Sequence, residues 1–184
     1  MAFLNFRLMF HPIRIHFAGI VLALAVGNMA HGQSTVLFHQ DTSLYVYGTV
    51  KDLATGDSLP GTDILIKKLP GDRVFRELHA DDHGNYNFYL GKRSRYKVTY
   101  AHKDMVAKHV EIDAQSVPDT SWHGGMAMEV TISLLEPFKG SDNAIFDEAI
   151  GRSRYNPATN LLEWDMDYTQ RIKERMDALK EREE

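Results

Sequence analysis

The 184-residue chain contains no cysteine, so no disulfide can brace it and no lipid can be attached through a thiol. Beyond residue 32 it also lacks any stretch near the roughly 20 consecutive apolar residues that a spanning helix needs. Catalytic signatures are missing as well. No serine stands in a Gly-x-Ser-x-Gly elbow, and Gly151-Arg-Ser153-Arg-Tyr155 fails that pattern. There is no His-Glu-x-x-His, no phosphate-cradling glycine loop and no dinucleotide fingerprint. Carboxylates such as Asp81 and Asp82 are adjacent, so in an extended chain they point to opposite faces and cannot work as an acid/base pair.

Acid is absent from the first 32 residues, which hold Arg7 and Arg14 and then the apolar run Phe17–Val26. Small residues follow at Ala30 and Gly32. This order predicts a secretory signal peptide over 1–32, cut between Gly32 and Gln33, in preference to a retained anchor. Its removal takes two positive charges and no negative ones, leaving 19 basic against 25 acidic side chains and a net charge of −6. Nucleic-acid binders carry a basic footprint, so that class is excluded. With 43% hydrophobic and 25% charged residues the remainder has an ordinary globular composition, long enough for one domain and an appendage.

After a polar leader over 33–43, side chains alternate. Leu44, Val46, Gly48 and Val50 share a face, with Gly48 marking a bulge or a close backbone approach. Turn-rich segments then separate strands at Thr62–Ile66, Val74–Ala80, Tyr86–Leu90, Tyr96–Tyr100 and Val106–Ile112. Gly84 is expected in the left-handed conformation. Lys108, on the apolar face of its strand, marks that strand as the most edge-like. Met126, Met128, Val130, Ile132 and Leu134 form the clearest stripe, one face core and the other wet. Seven short strands without intervening helix predict an all-β, antiparallel sandwich over 44–135.

The tail reads as a separate extension. Residues 136–166 hold a linker and a small hairpin whose turn is Asn156–Asn160. Residues 167–184 form an amphipathic helix, with Asp167 and Gln170 at capping-box spacing and Tyr168, Ile172, Met176 and Leu179 as its apolar stripe.

The order of these motifs resembles the carboxypeptidase regulatory-like domain of exported bacterial envelope proteins. Val46-Tyr-Gly48-Thr-Val50 with Asp52, Thr55-Gly56 and Leu59-Pro60-Gly61-Thr62 is similar to that family's opening strand, turn and second strand. Asp81-Asp82-His83-Gly84-Asn85-Tyr86-Asn87-Phe88 resembles its Asp-x-x-Gly-x-aromatic hairpin, and Tyr96-Lys-Val98-Thr-Tyr100 its next strand. The likeness covers roughly half the chain. It implies a seven-stranded Greek-key, transthyretin-like sandwich with no catalytic residues of its own, acting as an accessory or docking module. The hydrolase of that fold is recognised by a C-terminal Tyr-Arg-Gly-Ser, where this sequence reads Glu-Arg-Glu-Glu.

The expected function is therefore a non-enzymatic, exported module, periplasmic or associated with the outer membrane, that holds a protein partner. The candidate partner-binding residues are Tyr168, Ile172, Met176 and Leu179, because a helix this short is marginal alone and must bury its stripe on its own domain or on a partner. A carbohydrate or peptidoglycan binder is the second reading, with Trp122 in the loop 113–125 as candidate ligand-binding residue, either stacked on a sugar or folded over the sandwich end. A metal-dependent hydrolase at His79-Ala-Asp81-Asp82-His83 is the third. There the preferred reading is a tight turn, since His79 ends a strand while His83 sits in the turn. No metal, cofactor or catalytic residue is expected.

Overall fold

The computed structural model describes residues 43–122, 125–138 and 143–181; the expected signal and the leader up to residue 42 lie outside them. Strand β1 (Ser43–Asp52) is the spine of the smaller sheet. Its inward Leu44, Val46 and Val50 are fully buried, and its outward Tyr45, Tyr47 and Thr49 remain partly open. It pairs antiparallel with β4 (Asn85–Gly91) and parallel with β7 (Met126–Glu129) and β8 (Ile132–Leu134).

The larger sheet has six strands. In spatial order they are β10 (Leu161–Trp164), β9 (Gly151–Asn156), β6 (Lys108–Asp113), β5 (Arg95–Ala101), β2 (Asp63–Leu69) and β3 (Arg73–His79). The inward residues of both sheets close one core. Phe88, Leu90, Ile132 and Leu134 from the small sheet meet Ile64, Ile66, Val98, Val110 and Ile112 from the large one. Burying each such side chain is worth about 1.5–3 kcal/mol, and with no cysteine in the chain this core carries the stability that disulfides would otherwise add.

All seven expected strands are present, the seventh as β7 and β8. Its ladder with β1 keeps one register on both sides of a break, with Tyr47 opposite Glu129 and Val50 opposite Ile132. Gly48 faces that break. A Cβ built there would lie 2.0 Å from the Val130 carbonyl oxygen, so the close approach read from the sequence is a main-chain contact. The pairing is not antiparallel throughout. The connection from β6 to β7 passes from one sheet to the other and delivers β7 beside β1 in the same direction.

The return crossing lays β9 parallel to β6, with Val110 opposite Gly151 and Ile112 opposite Ser153. β6 is therefore interior, and the edge reading made from Lys108 is corrected. The hairpin β9–β10 is likewise part of the large sheet, closed by a turn in which Asn160 takes φ +60°. Helix α1 (Met166–Lys180) is capped two residues earlier than the capping-box spacing suggested. Its N-cap is Asp165, whose carboxylate accepts the Tyr168 N–H at 2.9 Å, while Gln170 instead donates to Glu174. Among the described residues no helix is long and apolar enough to cross a membrane.

Candidate functional site

The outer face of the small sheet is the surface that stands out. Across the strands Tyr45 lies between Tyr89 and Ala127, and Tyr47 between Asn87 and Glu129. Residues directly opposite one another share a face, so three tyrosines gather there. Their ring centroids are 5.0 Å apart for Tyr45 and Tyr89 and 5.5 Å for Tyr45 and Tyr47. Thr49 and Asn85 continue the face, with the Thr49 hydroxyl donating to Asn85 Oδ1 at 2.9 Å. Partial burial and then the Glu129 charge raise the Tyr47 phenol above its ordinary pKa, so it stays a neutral donor. Among the described strand residues of this face only Lys51 and Glu129 are charged.

The opposite exterior is built differently. On the large sheet Arg95 and Arg152 each approach Glu111 at 3.5 Å, and Arg95 reaches Asp113 at 3.8 Å. That face is an ion-pair lattice, well solvated.

The residues singled out from the sequence are distributed otherwise. Trp122, at the end of a 3-10 turn (Asp119–Trp122), is 1% exposed and belongs to the core. It folds over the end of the sandwich and offers no ring to a sugar, so the ligand-binding expectation for Trp122 is corrected. The helix stripe is largely used at home. Tyr168 and Ile172 are in the core, and the Tyr168 hydroxyl donates to the Ala149 carbonyl at 2.6 Å. The Arg152 guanidinium lies 4.2 Å from the Tyr168 ring centre, and Arg175 pairs with Glu148 at 2.8 Å. Met176 packs on the core and Leu179 is half-buried. The helix docks on its own domain, which removes Tyr168 and Ile172 as partner contacts.

His79 pairs with Asp63 of the neighbouring strand, Nδ1 to Oδ1 at 2.8 Å. Among the described residues no three His, Asp or Glu side chains gather around a metal position. The turn Asp81–Asn85 is accounted for by its own geometry. Gly84 takes φ +72°, and Asp81 Oδ1 accepts the N–H groups of His83 and Asn85 at 2.8 Å each. Those bonds, Asn85 first, hold the Asp81 carboxyl below its ordinary pKa of 3.8. A lowered folded-state pKa contributes stability above the unfolded value that is lost as pH falls through the folded one. Asp81→Asn is thus expected to flatten the acid limb of the stability curve, measured by thermal melts between pH 2 and 6; an unchanged limb would contradict the turn's role.

The buried polar groups serve packing. The hydroxyls of Tyr86 and Tyr100 lie 2.8 Å apart, and Tyr86 donates to the Val130 carbonyl. Lys108 Nζ donates to the Ser133 carbonyl at 2.7 Å. A cleft of about 530 Å³ opens beside the hairpin, lined by Arg154, Asn156, Glu163, Trp164, Asp165 and Met166 among others. Two of its carboxylates, Glu163 and Asp165, are engaged locally. Glu163 accepts from Asn156 at 2.7 Å and from Thr159, and Asp165 caps the helix.

No family model and no curated protein matches the sequence. Among solved structures, the TIE protein of Bacillus anthracis is similar at 16% identity and TM-score 0.42 over 52% of this chain and 18% of that one. A group B streptococcus pilus 2b backbone protein is similar at 14% identity and TM-score 0.36 over 52% and 41%. A 3-chlorocatechol 1,2-dioxygenase from Rhodococcus opacus 1CP is similar at 10% identity and TM-score 0.40 over 52% and 61%. The chain spans less than two thirds of each of these proteins, and overlaps of this score carry no argument about its activity.

Proposed function

We propose that the chain is an exported cell-envelope module that holds another protein against the outer face of its small sheet and performs no catalysis. The resemblance of its strand and turn motifs to the carboxypeptidase regulatory-like domain supports that reading, as does the basic and then apolar order of residues 1–32. The observation that carries it is the low charge of the tyrosine-bearing face, on a chain of which 25% is charged. Protein-binding surfaces are depleted of Lys, Glu and Asp at their centres and enriched in Tyr, and Tyr with Asn supplies rigid contact area and adaptable hydrogen bonds at low entropic cost.

The test is affinity capture from envelope fractions with a photocrosslinker at position 47. A discrete crosslinked protein is expected. The double variant Tyr45→Ser/Tyr89→Ser should weaken its binding roughly tenfold or more, the effect of truncating central aromatic anchors, with the melting temperature followed to confirm folding. Retention of the same partner at full affinity would defeat the proposal.

A further inference from the structure

Strand β3 extends beyond the cover of the small sheet. Elsewhere the inner side of the large sheet is core, yet every residue of β3 except Leu78 is exposed, Val74 at 48% and Phe75 at 37%. Registers place the side chains. Lys68 stands opposite both Tyr96 and Arg73, and Ile66 opposite both Val98 and Arg76. Since Ile66, Val98 and Tyr96 point into the core, Lys68, Arg73 and Arg76 lie on the inward side of the sheet, on an open ledge. The Phe75 ring leans over the same ledge, edge-on to Tyr96 at 5.3 Å.

The three ledge cations make no ion pair among the described residues. The hairpin's carboxylates are directed elsewhere. Asp72 takes Lys67 at 3.1 Å, and Glu77 stands opposite Leu65 on the outer side. A net-acidic chain thus concentrates three unneutralised positive charges beside an edge strand that pairs only with β2. Inward charges and a bulge on an edge bar a neutral strand from adding to it, and β3 has both, the bulge falling at the step between Ile66 and Lys67. An incoming strand with carboxylates on the matching face reverses that penalty, because opposite charges directly across a ladder attract.

We propose that this ledge is a docking surface, separate from the tyrosine face, for an acidic extended polypeptide segment that adds to β3 as a further strand. Regular pairing is available along Arg76–His79, where Arg76 and Leu78 share the ledge face. The fitting segment carries Asp or Glu opposite Arg76 and an apolar residue opposite Leu78, in alternation. Main-chain bonds supply affinity and the alternate side chains supply selectivity.

Fluorescence anisotropy with a labelled peptide of alternating Glu and Val, on the full mature chain, tests this. Saturable binding that weakens with salt is expected, with at least tenfold loss for Arg73→Glu/Arg76→Glu and for the same peptide N-methylated at alternate amides, while a Lys/Val peptide does not bind. Both substitutions are on exposed positions, and the melting temperature confirms folding. Equal binding of the N-methylated peptide, or of inorganic polyphosphate, would show charge attraction without strand addition and overturn the proposal; full affinity in the Arg73→Glu/Arg76→Glu variant would do the same by moving the site elsewhere. Neither result touches the tyrosine face, whose variants are scored on a different partner.

Discussion

Gly48→Ala is expected to cost about 4 kcal/mol or more, the range reached when a core clash has no room to relax. The added Cβ would sit 2.0 Å from the Val130 oxygen and 2.6 Å from its carbonyl carbon. That carbonyl cannot swing away cheaply. It accepts the Tyr86 hydroxyl, itself 2.8 Å from the Tyr100 hydroxyl, and the Val130 N–H donates to Tyr47 at 2.8 Å. Retreat would therefore break the link between β1 and the seventh strand and strand two buried hydroxyls. A domain of this size has only about 5–15 kcal/mol in total, so denaturant unfolding should show a large loss and the yield of folded protein should fall. Gly56→Ala is the control. Gly56 has φ +79° and open space around it, so that variant isolates backbone strain, expected near 1 kcal/mol. Equal costs at both sites would mean that the Gly48 approach is not what interrupts the strand.

The same position shows what could be read from the residues and what could not. Alternation located the core faces of β1, β4, β5 and the seventh strand, because burial on one side of a pleat imposes a period of two, while β3, exposed at every residue but Leu78, shows no such period. Glycines with a steric duty, Gly48 and Gly84, were visible because a strand interior and an Asp-x-x-Gly turn each need one for a definite reason. Lateral order was not visible. Nothing local in Gly151–Asn156 says that it lies parallel to β6, since a parallel neighbour is set by a long crossing of the chain; the hairpin therefore read as an appendage and β6 as an edge. Trp122 failed for a related reason, as a loop indole gives no period from which to tell a plug from a platform. Tyr45, Tyr47 and Tyr89 are not marked out as a surface by their local sequence. The signal for a surface was present in their shared parity with Asn85 and Asn87, but joining β1 to β4 required the register.

Lys108 is where an expected stripe of apolar residues and the observed packing conflict most, and its replacement should be instructive in the opposite direction. The side chain is 4% exposed, and its ammonium sits 5.8 Å from the Phe146 ring centre with a backbone carbonyl as hydrogen-bond acceptor. Burial alone drives its pKa from 10.5 down to about 7. The sign follows from the proton count. Below about pH 7 folded and unfolded chains both carry the proton and the burial penalty is complete; between 7 and 10.5 the folded chain has released it while the unfolded chain keeps it, so stability rises with pH across that window. Lys108→Met keeps the volume and removes the charge. Replacing a buried charge by a well-packed apolar side chain is worth about 1–4 kcal/mol, offset by about 1 kcal/mol for leaving the Ser133 carbonyl without its donor. A net gain of about 1–2 kcal/mol at pH 6.5 is expected, with the rise between pH 7 and 9.5 abolished. Urea denaturation at half-unit steps up to pH 9.5, below tyrosine ionisation, measures both. A variant that is less stable than the wild type at pH 6.5 and still gains stability toward pH 9.5 would show that the slope comes from another group and that the Lys108 hydrogen bond outweighs its desolvation.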